Sequence, residues 1–177
     1  MGSPKALLEY EGETFVARLV RVLGASCGSV TVVLGHNADL IRPYIPNRAR
    51  VAVNPEPDRG QLSSLQTALA EMPENADGFA FIPVDCPAVG EETVERLARA
   101  FAARNPATLL LIPRKNNQRG HPVFATRVIA EELLALDATA EAREIVHRHV
   151  DRTEYVDVED EGIFADIDTP DQYSKLR

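Results

Sequence analysis

Short apolar runs alternate along this chain with stretches whose apolar residues recur every three or four positions, the pattern of strands interleaved with helices in an α/β fold. Phe15, Leu19, Val22 and Leu23 predict a first helix, with Gly24 and Gly28 as available stops. The unbroken, β-branched run 30–34 predicts a strand buried on both faces. A short helix over 39–44, closed by Pro46, and a short strand over 51–53 follow, the strand ending at Asn54-Pro55. Residues 61–72 predict a helix with Leu62, Leu65 and Leu69 on one face, and 79–82 a strand that stops at Pro83. Val94, Leu97, Ala98 and Phe101 mark another helix, 108–112 another buried strand, and Val123-Phe124 a short edge strand. Two helices come next, one marked by Ile129, Leu133 and Leu136, the other by Ala142, Ile145, Val146 and His149. A strand over 154–158 and a helix over 170–176 complete the order. No linker, repeat or low-complexity tract interrupts it, so residues 1–177 are expected to form a single domain.

Composition narrows the function classes. With 45% apolar and 26% charged residues the chain carries no disorder bias. No apolar run approaches the roughly 20 residues needed to cross a bilayer, so no membrane partner is expected. Lys5 is not followed by an apolar stretch, which argues against a signal peptide, and Ala6 stands where a myristoylation signal needs Ser or Thr. The net charge of −8 opposes non-specific binding to nucleic acid. It leaves a nucleotide open, because a metal and a few local cations can hold a small polyanion. Cys27 and Cys86 form no CxxC pair, so neither a zinc site nor a disulfide is indicated, and a cytoplasmic location is expected.

Four segments carry candidate chemistry. Asp85 follows a buried strand and precedes Pro87, a place where a carboxylate can hold Mg²⁺ against phosphate oxygens; an Asp there can equally cap the next turn. Asp166 and Asp168 alternate with Ile167, so extended backbone points both carboxylates to one side. Thr169-Pro170-Asp171-Gln172 already supplies a capping box, which leaves Asp168 free to share a metal with Asp85 if the two loops converge. The segment 54–64 joins a strand end to a helix start. Its Gly60 permits close backbone approach, and Ser63 and Ser64 add hydroxyls to a first helical turn that attracts anions or is simply Ser-capped. In Arg119-Gly120-His121-Pro122, His121 is either a proton carrier and phosphate donor or a turn residue. Arg114, Lys115 and Arg119 concentrate positive charge suited to an anionic substrate. No nucleophile elbow, Cys/His pair or Walker loop is present, which weakens hydrolase and P-loop readings.

In this order the segments resemble the molybdenum cofactor nucleotidyltransferases, nearest the cytidylyltransferase branch. The matching text is Gly2-Ser3-Pro4-Lys5-Ala6-Leu7-Leu8, residues 54–65, residues 83–87, Arg119-Gly120-His121-Pro122-Val123-Phe124 and Asp166-Ile167-Asp168-Thr169-Pro170. The resemblance implies a three-layer α/β/α Rossmann-like fold with a mostly parallel sheet. It also implies Mg²⁺-dependent transfer of a nucleotidyl group from an NTP, CTP favoured, to a phosphorylated acceptor such as molybdopterin, with release of pyrophosphate. By position it assigns the metal to Asp85 and, less directly, to Asp168. Lys5 falls beside the triphosphate, and Asn54, Gly60, Ser63 and Ser64 beside the nucleotide. Arg119, Gly120 and His121 face the acceptor, with Lys5, Asp85 and His121 as the catalytic set.

The resemblance departs at the start of the chain. The family opens with an apolar strand, a Gly-rich loop and an Arg ahead of the Met-Gly that stands here as Met1-Gly2. A piece of roughly 15 residues, a central strand with the main triphosphate cradle, is expected to be missing, and the chain as written is expected to be weakly active or inactive. Exposed sheet edges would then favour pairing between copies, and a molybdoenzyme is a further expected partner. Two other readings stand beside transfer to a pterin: an inactive nucleotide- or pterin-binding domain that regulates or escorts cofactor insertion, and a transferase for a phospho-sugar or phospho-acid.

Overall fold

The computed structural model describes residues 4–137 and 139–176, so the Gly2-Ser3 start of the first matching segment lies outside the described residues. A 3-10 turn at Lys5–Leu7 leads into the small hairpin β1 (Glu9–Tyr10) and β2 (Glu13–Thr14), then α1 (Phe15–Gly24). There follow β3 (Thr31–Leu34), α2 (Ala38–Ile41), β4 (Arg50–Val53), α3 (Gln61–Ala70), β5 (Gly78–Phe81), α4 (Glu91–Ala102) and β6 (Leu110–Lys115). The chain ends with β7 (Gln118–Arg119), β8 (Val123–Thr126), α5 (Arg127–Leu134), α6 (Ala142–Arg148), β9 (Thr153–Asp157) and α7 (Pro170–Leu176). The short helix expected over 39–44 is one α-helical turn that tightens into a 3-10 turn at Arg42–Tyr44, because Pro43 lacks the N–H that would continue it.

The main sheet has the order β5-β8-β6-β7, with β9 paired to β6. β8 runs antiparallel to both β5 and β6, and β7 antiparallel to β6, whereas β6 and β9 are parallel, so β5, β6 and β9 share one direction and β7 and β8 the other. Val123-Phe124 is therefore not at an edge. Its register, Phe81↔Val123 on one side and Leu111↔Phe124 on the other, puts it in the middle of the sheet. The apolar run looks short only because Pro122 precedes it and α5 follows at once. Phe124 and Ala125 are nevertheless buried.

Side-chain alternation on β6 and β8 feeds two cores, one on each face. Leu111 and Phe124 pack with Leu19 and Val22 of α1 and Val94 and Leu97 of α4. Leu110 and Ala125 pack with Leu62, Leu65 and Leu69 of α3, Ile129 and Leu133 of α5, and Ile145 of α6. Helices thus cover both faces, giving the three-layer α/β/α arrangement. Thr14 caps α1 by accepting from the Ala17 amide at 3.3 Å, a contact worth about 1 kcal/mol.

β3 and β4 pair in parallel as a separate two-stranded sheet. The run 30–34 was expected to be buried on both faces, yet only Leu34 is; Thr31, Val32 and Val33 are half-buried, and among the described residues β4 is the one strand paired with β3. All four residues of β5 are likewise half-buried, with β8 as their one partner among the described residues. The two sheets are held together by helices. Val16 of α1 packs with Val32 and Leu34, while Leu19 and Val22, one turn on, pack with Ala80 and Ile82. On the other face α3 lies against β3 and sends Leu62, Leu65 and Leu69 to Phe79 and Phe81. Among the described residues, no helix is long and apolar enough to cross a membrane.

Candidate active site

Because β5 and β9 run in one direction, the loops that leave their carboxyl ends emerge on the same side of the sheet, and the segment entering the reversed β8 begins there too. These three connections carry Asp85, the pair Asp166 and Asp168, and His121. The Ile167 amide donates to the Asp85 carbonyl at 2.9 Å, which ties the first two loops together through backbone. One oxygen from each of Asp85, Asp166 and Asp168 can be chosen so that all three lie within 4.8 Å of one another.

Lys5 enters this cluster from the 3-10 turn near the start of the chain. Its Nζ donates to Asp85 Oδ2 at 3.3 Å and also to Asp168 Oδ1. Burial works against the charged lysine, but the hydrogen bond to Asp168 and the charge of Asp85 outweigh it, and the ammonium pKa is raised. Burial and then the charges of Asp85 and Asp168 hold the Asp166 carboxyl above the usual carboxylate range, with Lys5 opposing them. Three carboxylates with one ammonium among them leave an excess of negative charge that favours a divalent cation. Hard oxygen donors suit Mg²⁺ or Mn²⁺. In an octahedral shell neighbouring ligands lie about 3 Å apart and opposite ones about 4.2 Å, so the three oxygens would have to draw together to share one ion.

Asp166 was read from the sequence only as the companion of Asp168; the structure makes it a third member of the cluster. The signal was the alternation with Ile167, which is buried. The predicted capping box is present: Thr169 Oγ1 accepts from the Gln172 amide at 3.2 Å, and Gln172 Oε1 accepts from the Thr169 amide at 2.7 Å. Asp168 is accordingly spared from capping α7. Arg18 was not singled out by the sequence, where it falls in an otherwise apolar helix pattern. It is buried, donates through Nε to the Pro87 carbonyl at 2.8 Å and pairs with Glu11 at 2.8 Å, anchoring the loop after Asp85. Cys86 is buried beside these acids, and burial, reinforced by Asp85, pushes its thiol pKa up to about 12, which makes it inert as a nucleophile.

His121 packs edge-on against Phe81, with ring centroids 5.2 Å apart, and its Nδ1 is buried without a hydrogen-bond partner. Burial lowers its pKa, opposed by a backbone hydrogen bond at Phe81 and the charge of Asp85, so the ring is neutral at physiological pH. Gly120 is fixed by packing: a Cβ there would lie 2.7 Å from Ile163 Cβ, with the Ile163 carbonyl closer still. The cationic segment expected to meet an anionic substrate is largely neutralised from within. Arg114 forms a two-pronged pair with Asp157 at 2.8 and 3.0 Å, and Lys115 reaches Glu161 at 3.3 Å. Arg119 lies over the Tyr155 ring, 4.9 Å from its centroid.

Asn54, Gly60, Ser63 and Ser64 form a second network at the start of α3. Gly60, at φ 87°, turns the chain into the helix through a conformation that favours glycine. Asn54 is buried; its Nδ2 donates to Ser63 Oγ at 2.8 Å and Ser64 Oγ at 3.1 Å, and its Oδ1 accepts from the Glu56 amide at 2.9 Å. Ser63 is buried and donates to the Gly60 carbonyl at 2.8 Å, so its hydroxyl shapes the loop rather than facing outward. Among the described residues no hydrogen bond or ion pair joins this network to the Asp85 cluster. Replacing Asn54 with Ala is expected to destabilise the protein by about 2 kcal/mol, because three polar partners lose their bond at once. A urea-unfolding midpoint indistinguishable from wild type would contradict this.

A mixed sheet, helices on both faces, and carboxylates gathered where its parallel strands end define an α/β domain of the nucleotidyltransferase type. The chain belongs to the MobA-like NTP transferase domain family, whose model matches residues 1–153. It is 22% identical over 177 residues to the molybdenum cofactor cytidylyltransferase of Escherichia coli K12, covering 98% of this chain and 86% of that protein. It is 27% identical over 154 residues to the bifunctional protein GlmU of Fervidobacterium nodosum, covering 80% of this chain and 31% of that longer protein. Among solved structures, Rv0371c of Mycobacterium tuberculosis H37Rv in complex with manganese superposes with a TM-score of 0.81 at 26% identity, covering 99% of this chain and 92% of that one.

Proposed function

We propose that this protein transfers a nucleotidyl group, CMP from CTP in the first instance, to a phosphorylated acceptor such as molybdopterin, releasing pyrophosphate, with Mg²⁺ held by Asp85 and Asp168 and flanked by Asp166. The observation that carries the reading is the convergence of these carboxylates from two separate loops on one lysine, Lys5. The similarity to the E. coli molybdenum cofactor cytidylyltransferase supports the choice of nucleotide and acceptor.

An acceptor phosphate is already anionic at neutral pH, so no strong general base is required. Its oxygen attacks the α-phosphorus, the bond to the β-phosphate breaks, and pyrophosphate leaves. The bound divalent cation would supply charge neutralisation at the phosphates. Lys5 is placed to exchange its carboxylate partners for phosphate oxygens, holding its proton throughout because its pKa is raised. His121, neutral and with its ring proton engaged at the Phe81 backbone, lines the acceptor side of the site without adding charge there. The Asn54 network and Gly60 shape the turn beside which the nucleotide is held.

The test is pyrophosphate release from CTP, GTP, ATP and UTP with Mg²⁺, with and without molybdopterin. Weak release that requires both CTP and molybdopterin is expected. Ligand binding without release under any nucleotide would replace the reading with a binding domain. Release with a phospho-sugar but not with the pterin would replace the acceptor.

A further inference from the structure

Asp160 stands outside the cluster, six residues before Asp166, and its carboxylate is shared between two segments of chain. Oδ2 accepts from the Gly90 amide at 2.8 Å and from Thr93 Oγ1 at 2.7 Å, while Oδ1 accepts from the Gly162 amide at 2.8 Å. The first two partners begin α4, at the far end of the loop that starts with Asp85. The third opens the segment that leads to Asp166 and Asp168.

We propose that Asp160 is a positioning residue for the metal-binding carboxylates, fastening the Asp85 loop to the segment that carries Asp166 and Asp168. The proposal rests on the metal reading given above. The geometry is that of a seam closed at both ends. Asp160 closes one end, and the Ile167 amide on the Asp85 carbonyl, at 2.9 Å, closes the other. Between them Ile163 and Ile167 are buried, and the Ile163 carbonyl accepts from the His121 amide at 2.9 Å. Gly162 lies so close to the Ala88 carbonyl that it leaves no room for a Cβ, so the two segments are in backbone contact where the carboxylate joins them.

Gly90, the residue that opens α4, has no side chain with which to cap the helix. The anion at that helix end comes instead from Asp160, 70 residues away. A local cap would have served α4 equally well. A cap borrowed from the Asp166 segment makes the spacing of the two acidic loops depend on it. Outer partners of this kind fix where metal-ligating oxygens sit, and their loss typically weakens metal binding by about 10–100-fold.

The test is titration of Mn²⁺ in the absence of nucleotide, following the loss of the free-ion electron paramagnetic resonance signal, on wild type, Asp160→Asn, Thr93→Val and Val94→Ala. Asp160→Asn keeps the shape but turns an N–H toward one of its donors, and an affinity about tenfold weaker is expected. Thr93→Val removes one bond from the same carboxylate and should weaken binding less, in the same direction. Val94→Ala thins the core that α4 shares with Ile163 but removes no bond to Asp160; it should lower the melting temperature and leave Mn²⁺ affinity unchanged. Equal affinity for wild type and Asp160→Asn, or an equal loss in Val94→Ala, would overturn the positioning role while leaving the metal site standing. If Asp160→Asn does not fold, the comparison of Thr93→Val with Val94→Ala decides by the same criterion. Absence of Mn²⁺ binding by wild type would overturn the metal reading and this proposal with it.

Discussion

Replacing Asp85 with Asn is expected to lower turnover on the order of a thousandfold and to abolish measurable Mn²⁺ binding, with little change in stability. Asp85 is the member of the acidic cluster set closest to the rigid sheet, following β5 after a short turn fixed by Pro83 and Pro87. The substitution keeps the shape and removes one of the three negative charges. It also relieves repulsion with Asp166 and Asp168, offsetting the loss of the pair with Lys5, whose side chain is 31% exposed. Partly exposed pairs of this kind contribute roughly 0–1 kcal/mol, so the melting temperature should barely move. Steady-state turnover together with a thermal melt checks both halves. Full turnover in the variant would remove Asp85 from the metal site.

The second large effect concerns stability. Gly120→Ala is expected to cost about 3 kcal/mol and to lower activity together with stability. The added methyl group would lie 2.7 Å from Ile163 Cβ and 2.8 Å from the Ile163 carbonyl carbon, and Ile163 is fully buried. Neither side can yield easily: Gly120 donates to the Pro113 carbonyl at 3.0 Å, and the Ile163 carbonyl accepts from the His121 amide. Relief therefore requires the segment holding His121 to separate from the segment leading to Asp166. Denaturant unfolding gives the energy. A variant as stable as wild type would show that the two segments part without strain.

The helices were largely legible from periodicity, because each buries one stripe: Leu19 and Val22, Val94 and Leu97, and Ile129 and Leu133 all sit where the spacing placed them. Strand order was not legible. Val123-Phe124 reads as an edge because two apolar residues after a proline carry no record of having partners on both sides; pairing is a long-range property and leaves no local trace. The Asp85 and Asp168 candidates were brought together in space. The alternation at 166–168 carried the information about Asp166, and only the neighbouring capping box separated those acids from ordinary helix caps. Ser63 illustrates the opposite case. A serine in a first helical turn looks available to an anion, but a buried Asn54 nine residues earlier consumes it, and nothing in local spacing distinguishes the two outcomes. Arg18 and Asp160 were invisible for a similar reason: each acts on a loop about 70 residues away.

The separation of β3 and β4 from the main sheet has a mechanical consequence. Among the described residues no backbone ladder crosses from one sheet to the other, and α1 and α3 join them through side-chain contacts. Apolar contacts slide at lower cost than a hydrogen-bonded ladder breaks, and the two halves can respond to load as two plates joined by bearings. Asn54 and its loop ride on one plate, Asp85 and its acidic neighbours on the other. A substrate gripped by both would bridge the two plates directly.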